Sequence, residues 1–321
     1  MRRLAFTLAL FSAFASAQNT HPAPVPRPHA PQQTRQNPIV FWNLPRTSVN
    51  YLLEHVPQTN PIRLAQLKQT FHDLQCNLRD LHVQTFPGGK NLLCTLPAGR
   101  HLRRKSAQPP RSPGIILFIA DYKHEGAGQS AVDNWTGALM VPFIYHALSV
   151  APRMHTFLFA DVEGAAGARA LLNSFPIKER QRILGVVALD CLGLGPLRFY
   201  INPYDTFNGA QSNWLSLQLQ QGALDQHVPL PKSALPGGWF KVDPTSEFRH
   251  HNIQSLVLFT VGFKTRKLPG SKLDTYKSLN PDTYYQNLVR LAVYAVELDK
   301  PWPLEAKPSK NGVHPAFHSL G

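Results

Sequence analysis

Acidic residues are scarce in this chain. It carries 19 Asp and Glu against 33 Lys and Arg in 321 residues, a formal charge of +14 at pH 7. That excess is compatible with nucleic acid, an anionic surface or acidic ligands. The basic residues are dispersed, apart from Arg100-His-Leu-Arg-Arg-Lys105, which reads as a surface loop between strands. No nucleic-acid-binding motif accompanies them, so no nucleic-acid partner is expected. Also lacking is any run of about twenty apolar residues, the length a membrane-spanning helix needs. Cysteines number only three, Cys76, Cys94 and Cys191, too scattered for a zinc-ligand pattern. In an oxidising compartment Cys76 and Cys94 are the candidate disulfide, which their spacing alone leaves open. There is no internal repeat.

What is present begins with MRRLAFTLALFSAFASAQ. Arg2 and Arg3, an apolar stretch from Leu4 to Phe14 and Ala15-Ser16-Ala17 fit a secretory signal cleaved after Ala17. No Cys follows that site, so no lipid anchor is indicated, and the mature protein is expected to be soluble and secreted or periplasmic. Residues 18–39 (QNTHPAPVPRPHAPQQTRQNPI) are Pro- and Gln-rich and read as a disordered tether. A single domain is expected over 40–300, and a Pro- and Lys-rich tail over 301–321.

Within the domain, strand and helix patterns alternate. Ile62, Leu64, Leu67, Phe71, Leu74 and Leu78 predict a helix over Pro61–Leu81. Strands are predicted at His82–Phe86 and Asn91–Leu96 around the turn Pro87-Gly-Gly-Lys90, and at Gly114–Ala120, Thr156–Ala160, Leu184–Leu189 and Ser255–Thr260. Helices are predicted after Asn134, at Ala165–Asn173, at Asn213–Gln221 and at Asp282–Leu298. This order gives an α/β fold, a three-layer sandwich around a central mixed, largely parallel sheet.

Ligands of such folds bind at the carboxyl ends of the strands. Asp121, Asp161, Glu163 and Asp190 fall there, and Asp133 arrives on a loop twelve residues after Asp121. Any one of them could simply cap a helix. Several converging carboxylates repel one another and need a cation, protons or basic partners. A metal site is the reading that explains all of them together.

The segments HVQTFPGGKNLLCTLPA, IILFIADYKHEGAGQSAVDNWTGALM, FLFADVEGAAGARALL, GVVALDCLGLG, EFRHHNIQSLVLFT and KLDTYKSLNPDTYYQNLVRLAVYAVEL occur in an order and spacing that resemble the M28 zinc exopeptidases, aminopeptidases and related glutaminyl cyclases. The resemblance runs from about Arg63 to Asp299. It implies a site of five ligands (His, a bridging Asp, Glu, Asp and a final His), with a second Glu as general base. The bridging Asp falls on Asp133 and the later Asp on Asp190. The first His is replaced by Asp121, and the Asp that supports it by Lys123. With one gap, Glu163 takes the general-base position and Gly164 that of the ligand Glu; without a gap these fall on Asp161 and Val162. Thr245 stands where the final His belongs.

Zinc favours imidazole or thiolate beside carboxylate. Asp121, Asp133 and Asp190 alone form an all-oxygen set suited to magnesium, calcium or manganese, or to no metal, with the Lys123 ammonium replacing part of the charge. The leading expectation is therefore a secreted, peptidase-like protein with a degenerate zinc site, weak or inactive as an exopeptidase, monomeric, and binding peptide or protein N-termini. One alternative is an active aminopeptidase or glutaminyl-cyclase-like enzyme with Glu163 as base and His124, His250 or His251 as relocated ligands. Another is an envelope-associated basic scaffold.

Overall fold

The structure, a computed structural model, describes residues 45–99, 113–150, 153–200, 213–233 and 244–300. The leader, the tether, the basic run at 100–105 and the tail lie outside the described residues.

Among the described residues eight strands form one sheet: β1 (Leu81–Phe86), β2 (Gly89–Leu96), β3 (Ile115–Asp121), β4 (Thr156–Val162), β5 (Ile183–Leu189), β6 (Arg198–Tyr200), β7 (Lys232–Ser233) and β8 (Ser255–Phe259), in the order β1-β2-β4-β3-β5-β8-β6-β7. The central four, β4-β3-β5-β8, are mutually parallel, while β1 and β2 add an antiparallel hairpin at one edge. The hairpin turns at Pro87-Gly88, where Gly88 has φ 95°, a conformation that a type II turn demands after its proline. Parallel strands are covered on both faces, which is why IILFIAD in β3 is buried throughout.

Alternate side chains divide between the two faces. Ile116, Phe118, Phe157, Phe159, Val187 and Leu258 pack under α1 (Arg46–Glu54), α2 (Asn60–Asp73), α3 (Thr136–Ser149), α6 (Trp214–Asp225) and α8 (Pro281–Leu298). Leu117, Ile119, Leu158, Val186 and Val257 face the thinner layer of α4 (Gly164–Ser174) and α7 (Ser246–Arg249). A short α5 (Ile177–Arg180) precedes β5. Burying each large apolar side chain contributes about 1.5–3 kcal/mol, so this double core dominates the stability. The expected three-layer α/β architecture is the observed one.

Two local readings differ. The predicted helix over Pro61–Leu81 stops at Asp73, because Gln75 turns left-handed at φ 66° and Cys76 N–H closes the end onto Phe71 O at 2.8 Å. The sequence pattern also missed α1, α5, α7, β6 and β7, each nine residues or fewer. Cys76 and Cys94 are bridged across a Cα–Cα distance of 6.5 Å, joining the end of α2 to β2, and Cys191 is a buried free thiol. Among the described residues no helix is long and apolar enough to cross a membrane.

Candidate functional site

The parallel strands bring their carboxyl ends to one edge of the sheet. The loop after β3 enters α3 through a π turn at Ala131–Trp135. Gly137, at the start of α3, makes the approach possible, since a Cβ there would lie 2.3 Å from Leu189 O. That contact seats the Asp133 loop against the end of β5, where Asp190 follows. Asp133, Asp190 and Cys191 each offer a ligand atom within 4.8 Å of the others. Three of the six left-handed non-glycine residues among those described, Ser130, Asn134 and Cys191, lie in these two loops. Asn134, at φ 67°, is held by its side-chain N–H donating to Lys123 O at 2.7 Å. Such conformations persist where the surroundings over-determine them, and they concentrate at functional sites.

The remaining sequence candidates are placed differently. Asp121 ends β3, and its Oδ1 accepts the backbone N–H groups of Lys123 at 2.8 Å and Gly164 at 3.0 Å. It lies outside the close group formed by Asp133, Asp190 and Cys191. The Glu163 carboxylate accepts from Asn60 Nδ2 at 2.8 Å, the Lys90 N–H at 2.9 Å and the Tyr122 hydroxyl at 3.0 Å, so it joins α2, the hairpin and the loop after β3. Thr245 is fully buried at the start of α7, and its hydroxyl accepts from Arg249. The Lys123 ammonium does not fill the acidic site: Glu125, two residues on, captures it at 2.9 Å. The histidines do not relocate into the group either. His124 Nε2 lies 3.2 Å from Gly128 O, and His250 and His251 are exposed beside Glu247.

Two residues that the sequence reading passed over organise the site. Arg63 is fully buried, and its guanidinium donates to Pro57 O, Tyr122 O, Lys123 O, Gln129 O and Ser130 O over 2.6–3.4 Å. It thus clamps both ends of the loop that delivers Asp133. Its position in the apolar stripe of α2, one turn before Leu67, was the available signal. Asp274, the lone acid in a Lys-rich stretch, accepts the N–H groups of Val132 at 2.6 Å, Gly270 at 2.8 Å and Asp133 at 3.3 Å.

Electrostatics follow from burial. Desolvation first, then Asp190 and Asp274, push Asp133 up to about 8. Desolvation pushes Asp121 up to about 7 against the two N–H groups that stabilise its charge. Arg63 falls to about 10, because its desolvation outweighs the attraction of Asp274, Asp121 and Asp133. Burial and the adjacent carboxylates hold the Cys191 thiol well above its usual range, and its Sγ–H donates to Asp190 Oδ1 at 3.1 Å. These shifts favour a shared proton within the group of acids, which a bound cation would displace.

The donor set decides what could be held. A five-ligand, two-ion centre does not fit, because Asp121 and Glu163 are spent on other partners and, among the described residues, no imidazole reaches the group. Two carboxylates and a thiolate do suit one borderline-soft divalent ion, with open positions left over. A separate groove of about 750 Å³, lined by Tyr51, His55, Gln66, Gln69 and Phe143 among others, contains none of the strand-end acids.

No family model matches the sequence, and neither does any curated protein. Among solved structures the fold is similar to a zinc aminopeptidase from Bacillus subtilis, with a TM-score of 0.55 and 16% identity over 66% of this chain. The chain spans only half of that enzyme's length (50%). It is similar to the LapA aminopeptidase of Legionella pneumophila, with a TM-score of 0.58 and 13% identity over 79% of this chain and 71% of that one. Against a glutaminyl cyclase from Porphyromonas gingivalis the TM-score is 0.57 at 12% identity, over 79% of this chain and 96% of the cyclase. At these identities the likeness is one of fold.

Proposed function

We propose that this chain is a secreted protein on the zinc-exopeptidase fold whose hydrolytic centre has degenerated, leaving it weak or inactive as an exopeptidase and able to bind peptide or protein N-termini as a monomer. The observation that supports this reading is that, among the described residues, the donors grouped at the strand ends are Asp133, Asp190 and Cys191, within 4.8 Å of one another. The carboxylates at the strand ends would attract a peptide's terminal ammonium, whose charge offsets their mutual repulsion. The bonds Glu163 accepts from Asn60, Lys90 and Tyr122 support a positioning role for it over that of general base. The test is elemental analysis of the purified protein together with aminopeptidase and N-terminal glutamine cyclisation assays. Little or no turnover, with micromolar to millimolar binding of peptides and loss of that binding on N-acetylation, is expected. Stoichiometric zinc with rapid release of N-terminal residues would overturn the reading.

A second reading is favoured by Cys191 specifically. Its thiolate could supply the soft donor that the lost histidines no longer give, so that Asp133, Asp190 and Cys191 hold one zinc ion. Such an ion would supply Lewis-acid chemistry at the mouth of the sheet. Chelator-sensitive peptide hydrolysis that is restored by zinc and lost in Cys191→Ser would favour this reading over the first.

A further inference from the structure

We infer that the loop from Val261 to Asn280 is a docking surface for an anionic lipid membrane. Five cations, Lys264, Arg266, Lys267, Lys272 and Lys277, fall in these twenty residues, with Asp274 as the lone acid. Asp274 is buried, with its carboxylate consumed by backbone N–H groups, so the outward charge of the loop is wholly positive. Among the described residues none of the five cations pairs with a carboxylate.

The shape of the loop sorts its side chains. Successive turns close by N–H bonds from Thr265 to Gly262 O, Leu268 to Thr265 O, Ser271 to Leu268 O and Asp274 to Ser271 O, all at 3.0–3.1 Å. Thr265, Leu268, Ser271 and Asp274 take the inward side and are partly or fully buried. Phe263, Lys264, Arg266, Lys267, Lys272 and Leu273 take the outward sides, and all are exposed. Phe263 is 79% exposed, the highest value of any large apolar residue described, and Leu273 is 67% exposed. The Arg266 guanidinium lies 4.2 Å over the Phe263 ring, so a cation and an aromatic ring are presented as one unit.

The display is held in place. Gly270 O accepts from Ala127 N at 3.2 Å and Asp274 O from Gln129 N at 2.7 Å, fixing the loop to the segment that carries Asp133. Exposed apolar side chains on an anchored loop cannot fold back into the core. Flanked by lysines, they match what a bilayer interface takes up: acyl-chain contact for Phe and Leu, anionic headgroups for Lys and Arg. A soluble polyanion would use only the charges. An acidic membrane satisfies both sets and relieves the repulsion among five closely spaced cations.

The experiment is co-sedimentation of the full chain with vesicles of phosphatidylglycerol and phosphatidylcholine in equal parts, and with phosphatidylcholine alone. Binding to the acidic vesicles is expected, weakening as salt rises. Each of Lys264→Gln, Lys267→Gln and Lys272→Gln should lower partitioning roughly fivefold, and Phe263→Ser with Leu273→Ser should lower it at least as much. These side chains are exposed, and a thermal melt confirms that the variants remain folded. Three results would overturn the proposal: no binding to acidic vesicles, equal binding to neutral ones, or binding that survives loss of Phe263 and Leu273 while following charge alone, which would make a polyanion the partner.

Discussion

The carboxylate of Asp274 accepts the Val132 N–H at 2.6 Å, so a residue from the loop after β8 fixes the turn that presents Asp133. Backbone N–H groups left without this acceptor would be buried and unsatisfied. Asp274→Ala is therefore expected to cost about 2–4 kcal/mol, read as a shift of the urea midpoint. Tryptic cleavage at Lys267 and Lys272 should quicken, because the same carboxylate anchors Gly270. Asp274→Asn, which keeps one acceptor oxygen, should fall between the two. Unchanged proteolysis in Asp274→Ala would show that the loop is held elsewhere.

Arg63 clamps that turn from the other side. Lysine carries no planar fork and cannot reach five carbonyls at once. Arg63→Lys is expected to destabilise by about 2 kcal/mol and Arg63→Met by about 3 kcal/mol or more, since both strand carbonyl oxygens near the acids. Thermal melts of the two variants check the order. If Arg63→Met equals wild type, the contacts are incidental.

Cys191 makes the metal question measurable without an activity assay. Cobalt(II) bound by a thiolate shows a sulfur-to-metal charge-transfer absorption, which an all-oxygen set does not. Titration of the protein with cobalt is expected to give that band, Cys191→Ser to abolish it and weaken binding roughly tenfold or more, and His124→Ala to leave both unchanged. Cobalt bound without the band would restrict the site to carboxylates.

The fold was legible because its information is local and repeated: apolar runs of strand length, a helical pattern after each, and acids at the strand ends. IILFIAD and FLFADV announce a buried parallel sheet by themselves. Asp133 and Asp190 were placed together by their topological position. What was not legible depends on side-chain direction. A sequence shows that Lys123 follows Asp121, but not that Glu125 binds its ammonium at 2.9 Å. It shows Glu163 at a strand end, but not that Asn60 and Lys90 claim its oxygens. Cys191 adjoins Asp190 in the chain, but the chain does not show that its thiol comes within 4.8 Å of a carboxylate oxygen of Asp133, beside a left-handed backbone at φ 49°.

The bridge between Cys76 and Cys94 closes a chain separation of 18 residues. Loops of that size give disulfides a stabilisation of about 3 kcal/mol through the unfolded chain. Reduction, or Cys76→Ser with Cys94→Ser, is expected to lower the melting temperature, and the reduced wild type should match the double variant. A difference between the two would mean that the free thiols themselves disturb the packing of α2 on β2.

Asp161 supplies a pH signature. It is fully buried on β4, and neither carboxyl oxygen has a hydrogen-bond partner among the described residues. Desolvation, and to a lesser degree the charge of Asp121, raise it well above its usual 3.8. An acid whose folded value is raised binds its proton more tightly in the folded state. Its contribution to stability is complete below 3.8 and is lost as pH climbs through the raised folded value. Asparagine has nearly the same shape and cannot ionise. Asp161→Asn should therefore melt close to wild type in acid and above it in alkaline solution, the gap widening by about 1.4 kcal/mol per pH unit until the folded carboxyl titrates. Melting both proteins in chelator across the pH range isolates this residue together with its coupling to Asp121, because acids that do not interact with it contribute equally to each curve. Parallel curves would mean that Asp161 is ionised in the fold and that a cation, or a shift of the surrounding side chains, compensates it.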